Sequence, residues 1–274
     1  MTERKFRFGV VAGRAPTGAD WAATARRAEE LGYDTLLIPD TLQTFTPFAA
    51  LAAASAVTST LRLGTYVLSA PNRTPAVVAW ETETLQQLSG GRFELGIGGG
   101  RPGAERDAAA LGGEFGTPAE RLARVSETIE VVRKLAQPPT VMVAASRPRM
   151  LRLAAEQADV VALGLPPQST EPELARTVDA LRRAAGDRFT DLEVHLNVAA
   201  VTETVDEIPE WLSRMVGDDP RQMAAAGAIS FLTGSAEHIA DLLCRRREEF
   251  DVSYIGVNAM FLEQFAQVIA LLRA

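Results

Sequence analysis

Leu85–Arg101 reads LQQLSGGRFELGIGGGR, and its punctuation decides how the rest of the chain is read. A helical stretch stops at Ser89-Gly90-Gly91, and a short apolar strand follows at Phe93–Ile97. Four glycines then occupy Gly96, Gly98, Gly99 and Gly100. Glycine at that density costs chain entropy, so it marks backbone brought close to another segment or to a ligand.

The helix–strand alternation extends in both directions from this stretch. Upstream, Phe6–Val11, Thr35–Ile38 and Leu61–Leu68 read as strands. Thr17-Gly18-Ala19-Asp20 opens a helix that reaches Leu31 and closes at Gly32. Pro47–Val57 is helical, and Thr74-Pro75 starts another helix with a cap residue and a first-turn proline. Downstream, Thr117-Pro118-Ala119-Glu120 is a capping box. Strands are expected at Val141–Val143, Val160–Leu163, Glu193–Val201 and Val252–Val257, with helices at Pro148–Gln157, Pro172–Ala185, Asp206–Ala225, Ser235–Phe250 and Leu262–Leu272. Ile229–Leu232 is a further strand candidate, but it is short and lies just ahead of a helix cap at Ser235, so it reads as extended lead-in. Alternating strands and helices imply a parallel sheet. Eight such units in 274 residues favour one (β/α)8 TIM barrel spanning 1–274.

Composition narrows the function. The 28 basic and 35 acidic residues leave a formal charge of −7, against the basic face of a nucleic-acid binder. Arg245-Arg246-Arg247 runs straight into Glu248-Glu249, which reads as a solvated, self-paired helix face. The single cysteine, Cys244, allows no intrachain disulfide and points to a reducing compartment. With no apolar run of membrane-spanning length, a cytoplasmic location and no membrane partner are expected.

Several chemistries are disfavoured by the motifs. A dinucleotide fingerprint needs a helix opening on its third glycine, whereas the next helix expected after Gly100 begins at Thr117. There is no Walker loop and no G-x-S-x-G elbow. His195 and His238 have no metal-ligand spacing to each other or to Cys244, so no metal is expected. Chemistry carried by a bound cofactor is the remaining expectation.

The order of segments resembles the luciferase-like monooxygenase superfamily of flavin- and deazaflavin-dependent (β/α)8 oxidoreductases. The stretches that carry the resemblance are Glu29–Asp40, Leu61–Gly100, Pro138–Gly164 and Phe231–Leu243. Its AAS-x-P segment, Ala144–Pro148, is most similar to members that use the deazaflavin coenzyme F-420. The resemblance implies an oxidoreductase exchanging a hydride with a small-molecule substrate. It leaves open an FMN-dependent monooxygenase served by a partner reductase, and a non-catalytic cofactor-binding subunit. A homodimer is also implied.

The resemblance further implies site residues. The family's Asp-His pair corresponds to Asp40-Thr41, where the usual histidine is a threonine. A non-proline cis peptide is expected at Tyr66-Val67, against the cofactor ring. Gly98, Gly99, Gly100 and Arg101 would line the cofactor side, and Ala144, Ala145, Ser146, Arg147 and Pro148 would bind its phosphate. The last assignment has a physical basis, because small residues bare backbone N–H groups where a helix begins. The link Ala136–Thr140 is shorter than the insertion relatives carry there, which implies a more open site, a different substrate or a lid supplied by a partner subunit.

Other candidates come from position. Arg14 and Arg73, each following a strand, are candidate anion ligands, and Phe45 is either substrate-facing or core. Within Glu193–Val201, alternation sends Glu193, His195, Asn197 and Ala199 into the barrel. His195 is then the candidate replacement for the acid missing at Thr41, and Asn197 a candidate substrate contact.

Overall fold

The computed structural model describes residues 4–274. Its strands are β1 (Arg7–Val11), β2 (Thr35–Ile38), β3 (Arg62–Thr65), β4 (Leu68–Ser69), β5 (Phe93–Gly98), β6 (Thr140–Ala145), β7 (Val160–Leu163), β8 (Glu193–Val198), β9 (Ala200–Thr202), β10 (Phe231–Thr233) and β11 (Val252–Asn258). The main sheet runs β3-β2-β1-β11-β8-β7-β6-β5-β4, and pairing of β3 with β5 closes it. Every pairing is parallel. Because β3 and β4 are halves of one interrupted strand, the result is an eight-stranded (β/α)8 barrel, as the alternation implied.

The helices are α1 (Gly18–Glu30), α2 (Pro47–Ser55), α3 (Pro75–Ser89), α4 (Ala104–Ala110), α5 (Pro118–Val132), α6 (Pro148–Gln157), α7 (Glu171–Ala185), α8 (Ser213–Val216), α9 (Pro220–Ala225), α10 (Ala236–Phe250) and α11 (Leu262–Arg273). Caps set the starts of several. Thr117 and Glu120 satisfy each other's backbone in a capping box, Thr74 accepts from the Val77 N–H, and Ser235 from that of His238. Outward-facing Phe8, Leu36, Leu63, Phe93, Leu95, Val143 and Ile255 are fully buried against the helix ring. A smaller cluster of Leu37, Met142, Val160, Ala162 and Tyr254 fills the barrel itself.

Five expectations are corrected. The helix expected over Asp206–Ala225 is broken into α8, α9 and short 3-10 turns, because Pro209 and Pro220 cannot continue a helix and Gly217 takes φ 83°. Ile229–Leu232 does yield a strand, β10, but it pairs with β9 outside the barrel. A helix, α4, intervenes between the glycine loop and Thr117, so the dinucleotide reading is set aside by barrel closure rather than by a missing helix. Arg246 is no solvated charge; it is buried, with Nε on Glu171 at 3.1 Å and Nη1 on the Ile229 carbonyl at 3.1 Å. Finally, Ala136–Thr140 enters the N-terminal end of β6, where Thr140 pairs with Glu94. That is the barrel end opposite the strand C-termini, so the length of this link does not roof a pocket there.

Candidate active site at the barrel mouth

Inward-facing residues stack in layers along the barrel. The lowest layer is ionic. Arg7 meets Glu94 at 2.6 Å and Glu193 at 2.5 Å, and Arg62 also pairs with Glu94. The Arg7 guanidinium lies 4.3 Å from the centre of the Tyr254 ring. Two carboxylates shared between two guanidinium groups leave this end charged but internally compensated.

His195 occupies the layer above. Its ring lies 4.9 Å from that of Tyr66 and 4.7 Å, edge-on, from that of Tyr254, and it is completely buried. Burial, with the Arg7 charge adding to it, drives the imidazole pKa down to about 3. At neutral pH His195 is therefore an uncharged, completely buried ring beneath the mouth, which disfavours it as the replacement for the missing acid. Burial also pushes the Tyr66 and Tyr254 phenols upward, so both stay protonated.

The third barrel strand breaks at Tyr66-Val67, which is a cis peptide. Gly64 pairs with Glu94 and Leu68 with Ile97, so four steps on this strand match three on β5. The extra residue is a bulge aimed into the barrel. Thr65 Oγ1 stitches its base, donating to the Gly96 carbonyl at 2.7 Å and accepting the Gly96 N–H at 2.8 Å. A Cβ on Gly96 would sit 1.9 Å from the Thr65 carbonyl oxygen, and one on Gly98 would press Val67 and Ala144 at 3.1 and 3.3 Å. The glycines of the opening sequence thus make room for this bulge.

The mouth is ringed by half-buried Val11, Tyr66, Val67, Gly99, Gly100, Ala144, Asn197 and Asn258. On the β5–β6 side, Gly100 (φ 92°) lies under the Phe115 ring, and Arg101 turns away to Asp107 at 3.0 Å. Ala145 is buried, whereas Ser146, Arg147 and Pro148 are exposed at the start of α6. No side chain caps that helix. Its first-turn N–H groups and the Arg147 guanidinium therefore face outward, suited to an anion.

Asp40 is occupied structurally. Its Oδ2 accepts the Ser69 N–H at 3.0 Å, Asn72 at 3.3 Å and Arg73 at 2.7 Å, holding the chain that follows the bulge. Arg73, also 3.6 Å from Glu81, is thereby withdrawn from the role of anion ligand. Thr41 lies in the turn that follows, where its hydroxyl accepts the Gln43 N–H at 3.3 Å. Phe45 packs edge-on against Trp21 with ring centres 5.6 Å apart, the core alternative of the two readings. Arg14 is exposed after β1.

A cavity of about 200 Å3 opens across the mouth between β7, β8 and β11. Asn197 and Asn258 are among its walls, with Leu163 and Leu196, and Met215 and Val216 of α8 come over it. Sequence reasoning missed Asn258, although alternation through Tyr254 and Gly256 of β11 carries the same inward signal that was followed in β8. The α8 contribution had no signal, because it depends on where the broken helix turns.

The closed parallel barrel with its bulged third strand is the frame in which the comparisons with known proteins fall. Residues 5–249 match the family described as luciferase-like monooxygenase, and the chain belongs to that family. A protein named F-420-dependent glucose-6-phosphate dehydrogenase from Intrasporangium calvum is 40% identical over 118 residues, covering 40% of this chain and 35% of that protein. One of the same name from Amycolatopsis mediterranei is 37% identical over 128 residues, covering 42% and 37%. The matched region thus spans well under half the length of these curated relatives. Among solved structures, an F-420-dependent secondary alcohol dehydrogenase in complex with an F-420–acetone adduct superposes with a TM-score of 0.76 at 18% identity, covering 99% of this chain and 100% of that one. The EDTA monooxygenase of Chelativorans sp. BNC1 gives 0.75 at 16% identity, covering 98% and 94%. At these identities the two structures establish the fold.

Proposed function

We propose that this protein is an oxidoreductase that binds the deazaflavin coenzyme F-420 at the barrel mouth and acts on a small organic molecule. The observation that carries the reading is the pairing of the inward Tyr66-Val67 bulge, seated over glycines of β5, with an uncapped helix start after β6. Gly98 packs under Val67 and Ala144 and Gly100 under Phe115, so these glycines let the bulge and its neighbours close down on β5 while Tyr66 and Val67 stay half-buried at the mouth. Ser146, Arg147 and the first turn of α6 offer hydrogen bonds and charge to a phosphate. The residues present therefore fit a planar ring joined to a phosphate. When bound, a deazaflavin supplies a hydride donor or acceptor at its ring carbon.

The chain's own part is binding and orientation. Tyr66 and Val67 form the floor, Asp40 holds the segment behind them, and Thr41 contributes a hydroxyl rather than an acid. The curated relatives named for F-420 support the deazaflavin over FMN, although both cofactors carry a phosphate. The protein is further proposed to work as a homodimer, since exposed Val77, Trp80 and Leu88 lie at helical spacing along α3.

Fluorescence titration with oxidised F-420 beside FMN tests the reading. Saturable binding of F-420 alone is expected. Preferential FMN binding would replace it with a monooxygenase fed by a reductase. Binding of neither would leave a barrel without cofactor chemistry.

A further inference from the structure

We propose that the molecule received beside the cofactor is small, uncharged and largely apolar, with one hydroxyl or carbonyl group placed against Asn197. This rests on the oxidoreductase reading and adds the substrate class to it. The cavity between β7, β8 and β11 measures about 200 Å3. A cavity of roughly 150 Å3 holds benzene, so this one suits a single substituted ring or a short branched chain.

The lining sets the chemistry. Leu163, Leu165, Pro166, Leu196, Val216 and Ile229 supply apolar wall, and among the described residues no charged side chain lines the cavity. A phosphate or carboxylate buried here would lose its water and gain no cation, so anionic substrates are disfavoured. A polyol such as a sugar would leave most of its hydroxyls unpaired against leucine and proline, which is also unfavourable.

The polar groups in the wall differ in how free they are. The Ser230 hydroxyl donates to the Pro167 carbonyl at 2.8 Å, and Asn258 Oδ1 accepts the Met260 N–H at 3.0 Å. Asn197 is uncommitted among the described residues: its Oδ1, over Gly256, is buried with no hydrogen-bond partner there, and the side chain is half-buried at the cavity wall. A carboxamide both donates and accepts, so it receives an alcohol or a ketone equally well. The cavity also borders the proposed phosphate segment, because Leu163 pairs in register with Ala145. A ligand seated on Asn197 therefore faces the same mouth as the cofactor surface.

Saturation-transfer NMR with cyclohexanone, cyclohexanol and glucose 6-phosphate tests the inference on the intact protein, with and without F-420. The two neutral rings are expected to bind saturably and glucose 6-phosphate not to bind. Asn197→Leu is expected to weaken cyclohexanol about tenfold, and Ala199→Phe, which fills the cavity, to abolish both neutral ligands. Circular dichroism checks that each variant folds, and Asn197→Ser, expected to show a partial loss, replaces the leucine variant if that one does not. Tighter binding of glucose 6-phosphate than of the rings, or unchanged cyclohexanol binding after loss of the carboxamide, would overturn it. Failure of F-420 to bind while the rings still do would remove the cofactor reading and leave only a neutral-ligand pocket.

Discussion

Thr65 and Gly96 share two hydrogen bonds through a single hydroxyl, at 2.7 and 2.8 Å, and this contact fastens the strand bulge that floors the site. With the Thr65 carbonyl oxygen only 1.9 Å from where a Cβ would stand, residue 96 has no room for a side chain. Gly96→Ala is expected to cost about 3 kcal/mol or more, by the overpacking route, or to prevent folding. Gly18→Ala, with nothing near its added Cβ, is the control and should be neutral or stabilising by about 0.5 kcal/mol. Urea unfolding of both checks the contrast.

His195 links stability to acid. Its folded pKa of about 3 lies below the ordinary 6.5, so below pH 6.5 the unfolded chain takes a proton that the native one refuses. Its contribution is therefore complete above pH 6.5 and lost as pH falls toward 3, at on the order of 1.4 kcal/mol per pH unit. Compared with the wild type, His195→Leu should show a shallower loss of stability between pH 6 and pH 4. Equal slopes would contradict the buried neutral imidazole.

The same burial bears on catalysis. If His195 is neutral throughout, kcat/KM should show no limb near pH 6.5 that disappears in His195→Leu. A pH–rate profile over pH 5 to 8 checks this.

Asp40 and Arg73 form a nearly buried pair behind the bulge. Asp40→Ala should cost about 2–3 kcal/mol, because Arg73 and the Ser69 N–H lose their acceptor. The double variant with Arg73→Ala should cost less than the sum, with a coupling of about 1–2 kcal/mol. A double-mutant cycle by urea unfolding measures it.

The proposed dimer predicts a solution mass of twice the 29.4 kDa chain by light scattering. Trp80 is 72% exposed at the centre of the α3 stripe, and Trp80→Glu should shift the mass toward one chain.

The barrel was legible because its cues are local. Capping residues at Thr17, Thr74, Thr117 and Ser235, and β-branched runs between them, announce units that can only stack as a parallel sheet. Alternation along one strand placed His195 and Asn197 inside. What stayed hidden depends on neighbours distant in sequence. Nothing local to His195 tells of Tyr66 and Tyr254 closing around it, or of Arg7 below. Arg246 looked solvated until Glu171 came alongside, and nothing local to Asp40 tells that Arg73 turns back onto it. The breaks at Pro209, Gly217 and Pro220 were written in the sequence, but not that they bring Met215 and Val216 over the cavity.

A crystal structure of the protein with F-420 tests the central claim most directly. The account predicts the ring against Tyr66 and Val67, and the phosphate hydrogen-bonded at Ser146, Arg147 and the first turn of α6. Clear density for F-420 bound elsewhere, with the start of α6 free of phosphate, would contradict it.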